Sequence, residues 1–222
     1  MSSIDPRSVV TLLAADPDVG RFVDTSLSPP APYRGSGTIR LIILGQDPTV
    51  KRRESRRGIT TVLNLDRPGA LRNYLSRVCA GMGLDLAKDV YATNFVNTFF
   101  TVPPASVKER DVLGIAGGYW RPILEQQLAA FPRAPILALG QPLLRQLAFA
   151  PASRMVRDYW GYVPHWKAGG GGPQGHLPPE ANSLRRHIFP FPHQPSSTKL
   201  FYSQRLSSYI DYMRASVLEP DA

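Results

Sequence analysis

Four short apolar runs, each closed by turn-forming or polar residues, constrain the fold of this chain more than any other feature. Ile39 to Leu44, Val90 to Thr93, Ile136 to Leu139 and Ile188 to Phe191 are rich in β-favouring side chains. Continuous apolar runs of this length read as strands buried on both faces. The stretches between them carry helical spacing instead. Leu71, Tyr74, Leu75, Val78, Cys79 and Met82 fall on one helix face. Val112, Ile115, Tyr119, Ile123 and Leu124 predict another helix, which Pro122 is expected to kink or divide. Pro142 is placed to start a short helix carrying Leu143, Leu144 and Leu147. Tyr202, Leu206, Tyr209, Ile210, Met213 and Val217 mark a long final helix.

Strands that alternate with helices imply a parallel sheet covered on both faces. The expected architecture is α/β: a single domain over residues 1–222, with a central four-stranded, mainly parallel sheet flanked by helices on both faces. Residues 1 to about 30 are expected to be peripheral, and 164–179 to form a flexible Gly/Pro-rich loop. The glycines at 169–172 lack the Lys-Ser/Thr pair and the strand-to-helix setting of a phosphate-binding loop.

In such a sheet, ligands bind at the carboxyl ends of the strands. Gly45-Gln46-Asp47-Pro48, Asn94, Gly140-Gln141 and His193-Gln194-Pro195-Ser196 follow the four strands in turn. A carboxylate at Asp47 can orient water or offset a developing positive charge, and it can equally cap a helix or close a turn. His193 can donate a hydrogen bond to an anionic leaving group, or be a structural histidine. The Asn94 amide pairs a donor with an acceptor and so matches a ring presenting N–H beside C=O; tying down a loop is its other use. His165, His176 and His187 read as structural or surface residues, and Cys79 as core.

Lys plus Arg number 26 against 17 Asp plus Glu, a net charge of +9 that favours an anionic partner. Lys51-Arg52-Arg53-Glu54-Ser55-Arg56-Arg57 concentrates five positive charges directly after Asp47. Beside a site, such a run suits phosphates; elsewhere it would be a solvated face. No run approaches the roughly 18 apolar residues of a membrane span, and the first residues are not expected to act as a signal peptide. The single cysteine fits a reducing cytoplasm and excludes a four-cysteine iron–sulfur cluster or a zinc site built on cysteine pairs. The ligand motifs of zinc nucleobase deaminases are absent as well. Neither a metal nor another cofactor is expected.

Taken in order, Gly45-Gln46-Asp47-Pro48, Gly58-Ile59-Thr60, Pro68 to Asn73, Tyr91-Ala92-Thr93-Asn94, Trp120 to Leu124 with Ala138-Leu139-Gly140, and His193 to Ser197 resemble the motifs of the uracil-DNA glycosylase superfamily. The resemblance spans roughly residues 39 to 214. It departs from the family at several points. Thr49 stands where the family has a tyrosine, Ala70 where it has a phosphate-contacting serine, and Gln194 interrupts the His-Pro-Ser motif. The phenylalanine that stacks on uracil has no counterpart, Thr61 or a neighbour occupying that region.

The resemblance implies a monofunctional glycosylase that hydrolyses the N-glycosidic bond of uracil in DNA and leaves an abasic site, acting as a cytoplasmic monomer. Asp47 would stabilise the sugar cation and position water, and His193 would hold the departing base. Gln46, Pro48, Thr49 and Asn94 would line the base pocket, with Asn94 reading the N3–H and O4 edge. Arg52, Arg53, Arg56, Arg57, Ser196, Ser197, Thr198 and Lys199 would contact DNA phosphates, and Leu200 would wedge into the base stack. The alternative is an inactive domain of the same fold that only binds nucleic acid. A hydrolase of free nucleosides is a third reading, under which the charge has no use.

Overall fold

The computed structural model describes residues 4–149, 154–163 and 172–218. Among these, five strands form one sheet: β1 (Tyr33–Arg34), β2 (Leu41–Gly45), β3 (Val90–Asn94), β4 (Ile136–Leu139) and β5 (Ile188–Phe191), in the order β1-β3-β2-β4-β5. β2 lies parallel to both β3 and β4, and β4 parallel to β5. Every residue of β2 to β5 is buried. Because successive strand residues point to opposite sides, both faces of the sheet are covered.

The fold is α/β in one domain, with one strand more than the four expected. The extra strand, β1, pairs antiparallel with β3 at the sheet edge through only Tyr33↔Ala92 and Arg34↔Tyr91. Two residues in a Pro- and Gly-rich segment are too few to produce a pattern.

Helix α1 (Pro6–Ala14) starts on an Asp5 cap whose carboxylate accepts the Arg7 N–H at 3.0 Å. It buries Val9, Val10 and Leu13 in the main core and packs on α5 (Val112–Ala129), so the N-terminal segment is not peripheral. Between β2 and β3 run α2 (Arg53–Arg56), α3 (Ala70–Gly81) and α4 (Leu86–Asp89). α3 buries the expected Tyr74, Leu75, Val78 and Cys79, and burial pushes the Cys79 thiol up to about 12, as befits a core residue. α6 (Gln141–Leu147) and α7 (Val156–Tyr159) connect β4 to β5. α8 (Gln194–Ser197) and α9 (Leu200–Met213) follow β5, α9 packing on α3.

Pro122 does not divide α5, which runs unbroken for 18 residues. Both Pro122 and Gly118, whose carbonyl loses its i+4 donor, lie on the exposed side of the helix. Water can satisfy that carbonyl, and the absence of the bond costs little there. The expected loop at 164–179 falls partly outside the described residues, at 164–171. Its remainder is tied down: Gly172 and Gly175 donate to the carbonyls of Gly161 and Tyr159, and Leu177 bridges to Ile188. Among the described residues no helix is long and apolar enough to cross a membrane.

Candidate active site

The parallel register places Gly45 opposite Asn94 and Leu139 opposite Phe191, so the carboxyl ends of four strands come together at one edge. A cavity of about 540 Å³ opens there. Gln46, Asp47 and Thr49, which follow β2, line it together with Gly140 after β4 and His193 and Gln194 after β5. Asp47 and His193 follow strands separated by β4, yet they face the same space.

Asp47 is held by local bonds. Its Oδ1 accepts the Thr49 N–H at 2.8 Å, its Oδ2 accepts from Gln46 Nε2 at 2.8 Å, and the Thr49 hydroxyl adds a further bond. Thr49 Oγ1 in turn accepts the Phe100 N–H at 2.9 Å. These bonds and the Arg56 charge favour the carboxylate, but desolvation outweighs them and pushes the Asp47 pKa up to about 6. The group is thus mostly ionised at neutral pH but takes up a proton under mildly acidic conditions.

His193 caps α8, its carbonyl accepting the N–H groups of Ser196 and Ser197. The residue is exposed overall, yet it lines the cavity, and desolvation lowers its pKa below the ordinary value. A neutral imidazole donates one N–H and can stabilise an anion without first losing a charge-paired partner. Gly140, at φ +99°, turns the chain sharply between β4 and α6 and forms the wall beneath His193.

Asn94 is 2% exposed and stands behind the cavity wall, not on it. A chain of amide bonds sets its orientation: Asn97 Nδ2 donates to the Pro30 carbonyl at 2.7 Å, and Asn94 Nδ2 donates to Asn97 Oδ1 at 3.1 Å. Asn94 Oδ1 is left without a partner, a buried acceptor beside Gly45 and Leu63, both of which do line the cavity. Pro48 is buried and likewise does not reach the cavity, whereas Gln46 and Thr49 do.

The basic run divides. Arg52, Arg53 and Arg57 are exposed, but Arg56 is 2% exposed and cannot meet a DNA phosphate. Its guanidinium donates to the carbonyls of Val50 at 2.8 Å, Phe100 at 2.6 Å and Thr101 at 3.2 Å, fastening the Asp47 loop to the segment after β3. Ser196 and Ser197 are half-buried, with Ser197 Oγ donating to the Gln194 carbonyl. Thr198 and Lys199 are exposed, and Leu200 is 70% exposed at the start of α9.

Leu63, Pro103 and Ala105 also line the cavity, and the sequence does not single them out; Leu71, which the sequence marks only as part of a helix face, lines it too. Leu63, rather than Thr61, is the residue of its segment that faces the space, and it does so from left-handed backbone at φ 58°. Only the Pro103-Pro104 pair carries a local signal, that of a turn. His176 and His187 sit away from this site, bonded to each other at 3.0 Å, with His176 also 2.7 Å from the Tyr212 hydroxyl. His165 lies outside the described residues.

No protein-family model and no curated protein matches this chain in sequence.

Proposed function

We propose that this chain is a monofunctional DNA glycosylase that hydrolyses the N-glycosidic bond of uracil in DNA and leaves an abasic site. The observation that carries this reading is the shared cavity of Asp47 and His193, which brings a carboxylate and a neutral imidazole to one space. Cleavage of the C1′–N1 bond develops positive charge on the sugar and negative charge on the base, so it needs groups of opposite character on its two sides. Asp47 meets the sugar cation and orients water. His193 donates to the departing base.

The target nucleotide must leave the duplex stack to reach this depth. The unpaired Asn94 Oδ1 is an acceptor that suits the N3–H of uracil, a ring position at which cytosine carries only a lone pair. It lies behind Gly45, so a base meets it only if the cavity wall there opens. Leu63 lines the cavity and would offer the apolar surface that a stacking phenylalanine gives in the resembling family. Arg52, Arg53, Arg57 and Lys199 supply phosphate contacts, and the exposed Leu200 would wedge into the stack. The protein would act as a monomer on DNA in the cytosol.

The deciding experiment incubates the protein with a uracil-containing oligonucleotide and cleaves abasic sites with alkali. Strand scission that persists in excess EDTA is the expected result. Binding without scission would instead favour an inactive nucleic-acid-binding domain.

A further inference from the structure

A second cavity, of about 400 Å³, lies on the other side of His193, and His193 and Pro142 form the wall common to both. Its lining includes Tyr162, Phe201 and Tyr202 together with Arg157 and Lys199. No Asp or Glu lines it among the described residues. The nearby carboxylate of Asp158 is occupied at the start of α7, where Oδ2 accepts the Met155 N–H. The volume falls in the ordinary range of small-ligand sites.

The three aromatic rings are only half-buried, so they are not core residues. They are nevertheless held in place. Tyr202 meets the buried Trp160 edge-on at 5.1 Å, and Trp160 stacks on Tyr209 at 4.5 Å while its Nε1 donates to the Pro190 carbonyl at 2.8 Å. Phe201 packs edge-to-face on Tyr162 at 5.5 Å. The Arg157 guanidinium lies 4.3 Å from the centre of the Tyr162 ring. Fixed aromatic faces beside exposed cations are the means by which proteins hold unpaired nucleotides: rings stack on bases and cations meet phosphates.

We propose that this second cavity binds the nucleotide next to the target in the same strand, its base against the Tyr162–Phe201–Tyr202 wall and its phosphates on Arg157 and Lys199. The proposal rests on the glycosylase reading only in placing the target nucleotide in the first cavity. Two neighbouring bases cannot sit on opposite sides of His193 while stacked in a duplex. The arrangement therefore selects single-stranded or locally opened DNA.

Two measurements separate this proposal from the reading beneath it. The first is fluorescence anisotropy with a labelled oligothymidylate that contains no uracil. Phe201→Ala should weaken binding roughly tenfold, the scale of one stacked base. Arg157→Gln and Lys199→Gln, at exposed positions where folding is not at stake, should each reduce the salt slope by about 0.7. Affinity and slope unchanged in all three variants would overturn the subsite, whether or not the protein excises uracil. The second measurement uses single-stranded uracil oligonucleotides in which one neighbour of the uracil is an abasic analogue. Wild type should lose roughly tenfold in kcat/KM for the abasic neighbour on one side only, and Phe201→Ala should be indifferent to it. Equal rates for intact and abasic neighbours in wild type would also overturn it. Tight oligothymidylate binding that depends on Phe201, without any excision, would keep the subsite and remove the glycosylase reading.

Discussion

Gly45 and Asn94 face each other in register across β2 and β3, and a Cβ built on Gly45 would lie 2.3 Å from Asn94 Oδ1. The missing side chain is what lets the Asn94 amide come up under the cavity wall with its oxygen unpaired. Gly45→Ala should therefore expel the amide or force the strands apart, destabilising the fold by about 1–3 kcal/mol. Thermal unfolding reads this directly. An unshifted melting temperature would show that the strand ends yield easily and that the amide is not confined.

Asp47 joins function to stability in opposite directions. Its carboxylate must be ionised to meet a cation, so excision should rise as pH climbs through about 6 and then level off, with His193 neutral on the plateau. The folded-state pKa of about 6 exceeds the ordinary 3.8, so between those values the folded chain holds a proton that the unfolded chain has released. Ionisation thus destabilises the fold by up to about 3 kcal/mol at neutral pH, at about 1.4 kcal/mol per pKa unit. This destabilisation is absent below about pH 4 and complete above about pH 6. Asp47→Asn should melt higher than wild type at pH 8, equal it at pH 4, and excise uracil roughly a hundredfold more slowly. A variant that melts lower at pH 8 would contradict the desolvated carboxylate.

The arginines after Asp47 should separate by experiment as they do in space. Replacing Arg52, Arg53 and Arg57 with Gln should weaken DNA binding and lower the log–log salt slope by about 0.9 for each phosphate that is no longer neutralised. Arg56→Gln should leave that slope unchanged. It should instead destabilise the fold by about 2–3 kcal/mol, because it withdraws a charged donor from three carbonyls. A salt slope that flattens with Arg56→Gln would return this residue to the DNA surface.

The strands and their polar ends were legible because a run buried on both faces has no alternation to disguise it. Leu41 to Leu44 and Ile136 to Leu139 carry the sheet by composition alone. That Asp47 and His193 would meet at one edge was legible as well, since the carboxyl ends of parallel strands lie together. Arg56 was not. Nothing in a run of five cations distinguishes the one that turns inward, and its partners Phe100 and Thr101 lie more than 40 residues away. Leu63 was hidden for the same reason, because its left-handed backbone places it in the cavity without any glycine or turn motif to announce it. Asn94 was legible in position but not in depth. The bonds through Asn97 to Pro30 that set it behind the wall belong to tertiary structure alone.

Thr49 controls both the size of the pocket and the state of Asp47, and the two effects can be pulled apart. Its hydroxyl is bonded to the Asp47 carboxylate and accepts the Phe100 N–H, so the short side chain is pinned and cannot swing to fill the cavity it lines. In the resembling family a tyrosine at this position packs against uracil C5 and excludes the thymine methyl. With threonine there, a small C5 substituent meets less resistance, and one methyl-sized group is worth about 1–3 kcal/mol of discrimination. The expected result is detectable excision of 5-hydroxymethyluracil alongside uracil. Thr49→Tyr should suppress the larger base more than uracil, but it also breaks both hydroxyl bonds, so a second variant is needed. Thr49→Val keeps the size and removes only the hydroxyl. It should retain the broad base range while the acid limb of the pH–rate profile moves upward, because a hydrogen bond that favoured the carboxylate has gone. A wild-type protein that rejects 5-hydroxymethyluracil as firmly as thymine would mean that another side chain lining the same cavity, such as Leu63 or Val50, closes the pocket in place of the tyrosine.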